Sequence, residues 1–159
     1  MSIRNLEQEV KKRVIEAVKG IQLTNDKGEY VVPLVETGAL PKEAVKGNPY
    51  ILIQTTNISD TAQESSTEVS LLYGTVGIGK SESKDDELMK QVHAYGHWDV
   101  ISIIDKLRSN FLKNVNFNFG YLNRDIKHEV FGEVSFPFYL GESKLKFIVP
   151  TVDPEDEYL

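Results

Sequence analysis

Two stretches of the chain repeat apolar residues at the spacing of an α-helix, and they limit the possible folds more than any other feature. In residues 5–19 the apolar positions recur every four residues and draw one narrow stripe along a helix: Leu6, Val10, Val14 and Val18. Residues 98–113 carry a broader apolar face that is wide enough to lie across a sheet: Val100, Ile101, Ile104, Leu107, Phe111 and Leu112. The sequence therefore predicts two main helices.

Outside these helices the apolar residues alternate with polar ones or form short apolar runs, as in strands. Five segments of this kind are predicted to be strands: 49–54, 68–73, 117–119, 126–136 and 144–149. The turn sequence Asn25-Asp26-Lys27-Gly28 separates two short apolar segments and indicates a hairpin. Without a linker or a repeat, the pattern predicts one α+β domain over residues 1–159. Two main α-helices are expected to pack on one face of a mostly antiparallel β-sheet.

Polar and glycine-rich stretches are predicted to be loops. Residues 59–67 are polar and turn-rich, and residues 77–87 are rich in glycine, serine and charged side chains. The aromatic-proline sequence from Phe136 to Gly141 is predicted to turn between the last two strands. The acidic C-terminal segment 151–159 is predicted to be frayed.

Composition excludes several classes of function. With 159 residues, of which 40% are hydrophobic and 26% are charged, the chain has the composition of one globular domain. It contains no cysteine, so disulfides, thiolate zinc sites and a cysteine nucleophile are ruled out. No apolar run approaches the roughly 20 residues that span a membrane. The net charge of −6, with scattered basic residues, argues against a protein that grips nucleic acid.

One motif suggests a nucleotide site. The residues from Gly74 to Ser81 match the phosphate-loop pattern, in which backbone N–H groups surround phosphates, a lysine reaches the outer phosphates and a hydroxyl binds Mg²⁺. That loop requires a helix that begins at the lysine and packs on a parallel sheet. Residues 82–87 have no apolar face, and their carboxylates would repel a triphosphate. We interpret the motif as a glycine-rich hairpin loop, and a small P-loop nucleotide-binding protein is the alternative.

The remaining candidate sites have weaker patterns. His93 and His97 are four residues apart, a spacing that can bind a metal on a helix, but Gly96 lies between them and no third ligand is near in sequence. We interpret them as part of a solvated loop before the second helix. Asp99 and Asp105 lie on different sides of their helix, which does not suit acid–base catalysis. No nucleophile turn accompanies the histidines. We therefore predict no catalytic, cofactor-binding or metal site.

Three features between Pro49 and Pro150 occur in a specific order. An apolar strand opens with Pro49-Tyr50, and an aromatic sequence with an aspartate, Tyr95-Gly96-His97-Trp98-Asp99-Val100, leads into the second helix. The turn Phe136-Pro137-Phe138-Tyr139-Leu140-Gly141 then precedes the last strand. In this order of segments the chain resembles small tail proteins of siphophages and prophages, the tail terminator or tail-completion proteins of the head–tail joining region.

The resemblance implies an α+β fold and a structural, non-enzymatic role without a cofactor. Proteins of this family form a ring, usually of six subunits, on the head-proximal end of the tail tube. The ring ends tube polymerisation and joins the tail to the head connector, while DNA passes through its bore without specific binding. The implied partners are other copies of the chain, the tail tube protein and the head–tail connector protein. The implied location is the virion tail, after synthesis in the bacterial cytoplasm. A neighbouring head–tail adaptor or a tail tube subunit is the alternative.

Seven residues are candidates for assembly contacts or for the wall of the bore. They are acidic or aromatic residues of the predicted loops and turn: Asp60, Glu64, Asp85, Asp86, Glu87, Phe138 and Tyr139. Acidic side chains suit a bore because like charge keeps DNA from adhering. Aromatic side chains at a turn suit an interface between subunits.

Overall fold

The computed structural model describes residues 3–39, 47–77, 95–118, 120–135 and 138–150, and these residues form two helices and nine strands. In chain order the elements are α1 (Ile3–Val18), β1 (Leu23–Thr24), β2 (Tyr30–Val31), β3 (Leu34–Thr37), β4 (Tyr50–Asp60), β5 (Glu64–Val76), α2 (Tyr95–Lys113), β6 (Asn116–Phe117), β7 (Gly120–Leu122), β8 (Lys127–Ser135) and β9 (Phe138–Pro150). The two helices and the larger sheet share one hydrophobic core. The predicted α+β class is confirmed.

Seven of these strands form one sheet in the order β3-β4-β5-β9-β7-β6, and β8 also pairs with β9. One edge of β9 pairs with β5 along the whole length of β9. The strands β7 and β8 therefore pair with the other edge of β9. Among the described strands of this sheet, β3 and β4 pair in parallel and the other pairs are antiparallel. The short strands β1 and β2 form the hairpin that the turn sequence predicted.

Both helices pack on one face of the sheet. The residues that α1 buries are the four of its predicted stripe: Leu6, Val10, Val14 and Val18. They meet side chains that alternate along the central strands and point to the same face: Ile51, Ile53, Val69, Leu71, Tyr73, Leu145 and Phe147. Each fully buried side chain of this size contributes about 1.5–3 kcal/mol through removal of apolar surface from water. This layer holds the sheet in a fixed position against the helices.

Arg13 joins the two helices. Its guanidinium group lies 4.4 Å from the ring centre of Phe117, and it donates hydrogen bonds to the carbonyl oxygen and to Oδ1 of Asn110. Farther towards the N-terminus of α1, the carboxylate of Glu9 accepts a hydrogen bond from the backbone N–H of Asn118. Arg13 and Glu9 thus tie α1 to the end of α2 and to the segment that follows it.

Three sequence-based boundaries are wrong. The second helix begins at Tyr95, three residues before the predicted start, and therefore includes His97. Residues 59–67 are not a loop, because β4 continues to Asp60 and β5 begins at Glu64. Phe138 to Gly141 do not turn: they form the first residues of β9 and pair with β5 and β8. The segment 151–159 lies outside the described residues.

Candidate assembly surfaces

The connection between β4 and β5 is a protruding hairpin. Every residue from 56 to 64 is exposed, and we call this segment the acidic hairpin. Its turn is closed by Thr61, whose hydroxyl oxygen accepts from the backbone N–H of Glu64 and donates to the carbonyl oxygen of the same residue. Ile58, two residues before the end of β4, is 51% exposed. Strand β9 supports the returning strand as far as the pair between Glu64 and Pro150.

The acidic hairpin carries charge of one sign. Between Thr55 and Ser70 the sequence contains three acidic residues and no lysine or arginine. Of the three, Asp60 and Glu64 belong to the exposed segment, whereas Glu68 lies directly opposite Lys146 on β9. Asp60 and Glu64 therefore present two carboxylates at the end of the sheet, and no lysine or arginine lies near them on β4 or β5.

The acidic hairpin is anchored where it leaves the helix layer. A β-bulge interrupts the pairing of β4 with β5 between Thr55 and Asn57. At this point Oε1 of Glu7, on α1, accepts hydrogen bonds from the backbone N–H of Thr55 at 3.1 Å and from its hydroxyl at 2.7 Å. The pairing of β3 with β4 ends at Ile53, and beyond that point the Glu7 carboxylate accepts from the backbone N–H of Thr55 on the same edge of β4.

A second exposed surface lies at the other end of α1. A groove of about 530 Å³ opens between the last turns of this helix and the segment that joins β2 to β3. We call it the apolar groove, and its walls are mainly aliphatic: Ile15, Val18, Val31, Val32, Pro33 and Leu34. Lys19 also lines it and forms a 2.6 Å ion pair with Glu16 on the solvent side. Val32 is 49% exposed.

The beginning of the phosphate-loop motif lies inside a strand. Residues 74–76 pair with β9, from Gly74 opposite Leu140 to Val76 opposite Phe138. Gly74 is also paired with Tyr50 on β4, and the ring of Tyr50 occupies the space where a β-carbon would stand on Gly74. In a phosphate loop these residues would curl around the ligand, whereas here they form regular antiparallel sheet. Residues 78–81 lie outside the described residues.

The predicted assembly residues fall in different places. Asp60 and Glu64 lie together at the end of the acidic hairpin. Phe138 is exposed, but its neighbour Tyr139 is buried in the core, which corrects the expectation that both stand in a turn. Asp85, Asp86 and Glu87 lie outside the described residues. The structure therefore brings together two of the seven.

The structure also changes the interpretation of the two histidines. His97 lies in α2 rather than in a solvated loop before it, and His93 lies outside the described residues. Gly96, which weakens the helical pattern in the sequence, is buried within the first turn of this helix.

One polar cluster was not predicted from the sequence. Nδ1 of His128 on β8 lies 2.6 Å from the hydroxyl oxygen of Ser143 on β9, and these residues are directly paired across the strands. The buried hydroxyl of Tyr73 lies near Ser143, and burial raises the pKa of this phenol. Burial, and then the nearby charge of Arg108, lower the pKa of His128. The sequence could not reveal this cluster, because its members are far apart along the chain. They come together only through the register in which the strands pair.

This cluster does not resemble a hydrolytic site in its accessibility. Ser143 is 1% exposed, so its hydroxyl oxygen is not open to a substrate in this structure. A nucleophile must reach the reacting atom within hydrogen-bonding or van der Waals distance. We therefore interpret the contact between His128 and Ser143 as a structural tie between β8 and β9.

Two further findings concern membrane spans and similarity to known proteins. None of the helices within the described ranges has the length and apolar character needed to cross a membrane. The sequence matched no protein-family model, and a search of curated proteins gave no match.

Proposed function

We propose that the chain forms a closed ring on the head-proximal end of a phage tail tube, where it ends polymerisation and joins the tail to the head connector. The observation that carries the proposal is the acidic hairpin. It extends the sheet beyond the helices, exposes every residue from 56 to 64, and places Asp60 and Glu64 at its end.

Neighbouring elements hold the acidic hairpin in place, which favours a role in binding to another surface. An isolated two-stranded hairpin is marginally stable in water. Here β9 adds a third strand beside β5 as far as Pro150. Glu7 binds Thr55 on β4, at the point where the acidic hairpin begins. Exposed residues at the tip add little to the hydrophobic core, so a supported protrusion of this kind suits binding to another surface.

The charge of the acidic hairpin suits the inside of a ring through which DNA passes. A protein that grips DNA releases counterions by placing lysine and arginine against phosphates. Asp60 and Glu64 do the opposite, because their carboxylates repel phosphates within a screening length of about 8–10 Å at moderate salt. DNA would then move past the wall without adhering to it.

Tube capping tests the proposal. Tail tube subunits are polymerised with and without the chain, and tube lengths are measured by negative-stain electron microscopy. We expect shorter tubes that carry extra density at one end. Tubes of unchanged length without such density would contradict the proposed function, and binding to the connector alone would favour a head–tail adaptor.

A charge-reversal variant serves as the second arm. Replacement of Asp60 and Glu64 by lysine should leave the fold intact, because both side chains are exposed. We expect this variant to retain DNA in a salt-dependent manner when the ring is assembled. Equal DNA retention by the wild type and the variant would count against a position in the bore.

A further inference from the structure

Strand β8 lies at an edge of the larger sheet, and we propose that this edge pairs with β8 of a second copy, antiparallel and centred on His128. In the described part of the chain, β8 pairs with β9 alone. Successive residues of a strand direct their backbone N–H and C=O groups to its two edges in turn, so the outer edge of β8 offers donors and acceptors that a further strand can match. This dimer goes beyond the proposed ring and does not depend on it.

The first part of β8 is regular enough to pair with another strand. Residues 127–130 oppose residues 141–144 of β9 in unbroken register, and the first bulge follows between Val130 and Gly132. A bulge disrupts the ladder locally and bends its strand. A second strand can therefore pair regularly along residues 127–130 and Ile126, which comes directly before them.

The charged side chains of this segment face like charges within one copy. Lys127 is directly opposite Lys144 on β9, and two residues later Glu129 is directly opposite Glu142. All four lie on the sheet face away from the helices, because Leu145, the next residue after Lys144, points into the core. Like charges directly opposite each other destabilise a strand pair. A strand with the opposite charges on the outer edge of β8 would supply the cross-strand pairs that β9 does not.

The order Lys127-His128-Glu129 is its own complement when a second copy runs antiparallel. A centre at His128 places Lys127 of each copy opposite Glu129 of the other, and Ile126 opposite Val130. Because opposite residues share one face of the sheet, the neighbouring registers are centred on Lys127 or on Glu129. Each of those registers places two like charges directly opposite each other at its centre, which is unfavourable. Charge therefore selects a second copy as the occupant and selects one register for it.

Apolar side chains beside the same edge are exposed. Val130 stands opposite Gly141, against which Val100 of α2 packs, and Val130 is nevertheless 39% exposed. Ile101, the next residue of α2, is 37% exposed. A second copy would place its Ile126 beside Val130, and this contact would remove apolar surface from water on both sides.

His128 lies on the two-fold axis of the proposed contact. Its Nδ1 lies 2.6 Å from Oγ of Ser143 in its own copy, so the imidazole is directed towards β9 and leaves the outer edge open. The contact is isologous, since both copies contribute the same surface, and it is complete with two copies. The dimer is therefore an assembly separate from the ring, which needs a heterologous contact.

Disulfide cross-linking tests the register, because the chain contains no cysteine of its own. An Ile126→Cys variant is mixed with a Val130→Cys variant under mild oxidation, and products are separated without reductant. We expect a cross-linked dimer that contains one copy of each, because directly opposite β-carbons lie about 4.5–5.5 Å apart. Val130→Cys alone should give little product, since the two copies of residue 130 would be roughly 13 Å apart. Tyr121→Cys, at a residue of similar exposure (44%) on β7, replaces Val130→Cys in the control and should also give little.

Charge reversal provides the second measurement, with the dimer dissociation constant determined by sedimentation across concentration. Lys127→Glu alone and Glu129→Lys alone should each weaken the dimer about tenfold, because two favourable cross-strand pairs become repulsive. The fold should not suffer, since each new side chain faces an opposite charge on β9. A mixture of the two variants should form a heterodimer as stable as the wild-type dimer. Lys12→Glu, at an exposed lysine of α1, changes the net charge equally and should have no effect.

The outcomes separate this dimer from the proposed function. A wild type that forms no dimer, no rescue in the mixture, equal weakening by Lys12→Glu, or equal product with Tyr121→Cys would overturn the β8 contact. Rings that cap tail tubes would leave the ring proposal standing in each of these cases. A cross-linked dimer of I126C and V130C together with tubes of unchanged length would overturn the ring and support the β8 contact.

Discussion

Gly96, in the first turn of α2, lies against the ring of Tyr139 on β9 so closely that a β-carbon on residue 96 would overlap the ring. The hydroxyl of Thr75 on β5 donates a hydrogen bond to the carbonyl oxygen of the same glycine. The start of α2 is therefore fixed to two adjacent strands through a residue that has no side chain.

We expect Gly96→Ala to destabilise the protein although alanine favours helices. Alanine gains about 1 kcal/mol in helix propensity over glycine, whereas overpacking against a buried ring typically costs about 1–3 kcal/mol. Urea denaturation followed by circular dichroism measures the balance. Gly20→Ala is the matched control, because a β-carbon there meets nothing within 4 Å. A Gly96→Ala variant as stable as this control would contradict the packing described for α2.

The bond between Glu7 and Thr55 makes a second prediction. Glu7→Ala removes the acceptor of two hydrogen bonds at the bulge and should destabilise the protein by about 1–3 kcal/mol. The loss should be local, so hydrogen exchange should accelerate first in the acidic hairpin. Glu16→Ala, at an exposed position on the same helix, should change stability by less than about 0.5 kcal/mol. Unchanged exchange in residues 56–64 would show that Glu7 does not anchor the hairpin.

Asp99 predicts a dependence of stability on pH. Burial raises the pKa of this carboxyl group from 3.8 to about 6. The folded protein therefore keeps the proton at pH values where the unfolded chain has lost it. Stability falls as pH rises between these two pKa values, and above pH 6 the half-buried charge remains unfavourable.

Asp99→Asn should reduce this dependence and stabilise the protein at pH 7. The measurement is the difference in thermal midpoint between wild type and variant at pH 4, 5, 6 and 7, which cancels opposite contributions such as that of His128. Asp105→Asn is the control, because Asp105 is exposed on the same helix. A difference between wild type and Asp99→Asn that does not change with pH would contradict the raised pKa.

The strand position of Gly74 supports a prediction about nucleotides. Its close contact with Tyr50 leaves no room for a phosphate on that side of the strand. Titration with ATP and Mg²⁺ should give no saturable heat, and Lys80→Ala should leave stability nearly unchanged. Micromolar binding that disappears in Lys80→Ala would instead establish the alternative, a P-loop nucleotide-binding protein.

The periodicity of the sequence predicted both helices and the central strands β4, β5 and β9, but not the short strands β3 and β7. Each of these elements has one face in the core, so the apolar spacing reflects the geometry directly. In α1 the stripe from Leu6 to Val18 is the buried face. Tertiary contacts explain the wrong start of α2: Gly96 is a poor helix residue, but it allows the close approach to Tyr139.

The acidic hairpin escaped prediction for a physical reason. Residues 56–64 have water on both faces, so no alternation of apolar and polar side chains marks them as strands. Residues 57–60 pair with residues 65–68 of β5, which pair in turn with β9, more than 70 residues away in sequence. The apolar groove depends in the same way on the approach of α1 to the segment before β3. A single sequence contains no pattern for contacts of this kind.

Ring formation is tested by the assembly state of the purified chain across concentration. Sedimentation velocity gives the mass of the assembled species, and negative-stain electron microscopy of the same samples gives its shape. We predict a species of discrete mass that appears as a closed ring with a central hole, at high concentration or when tail tubes are present. A protein that stays monomeric under all of these conditions would contradict it.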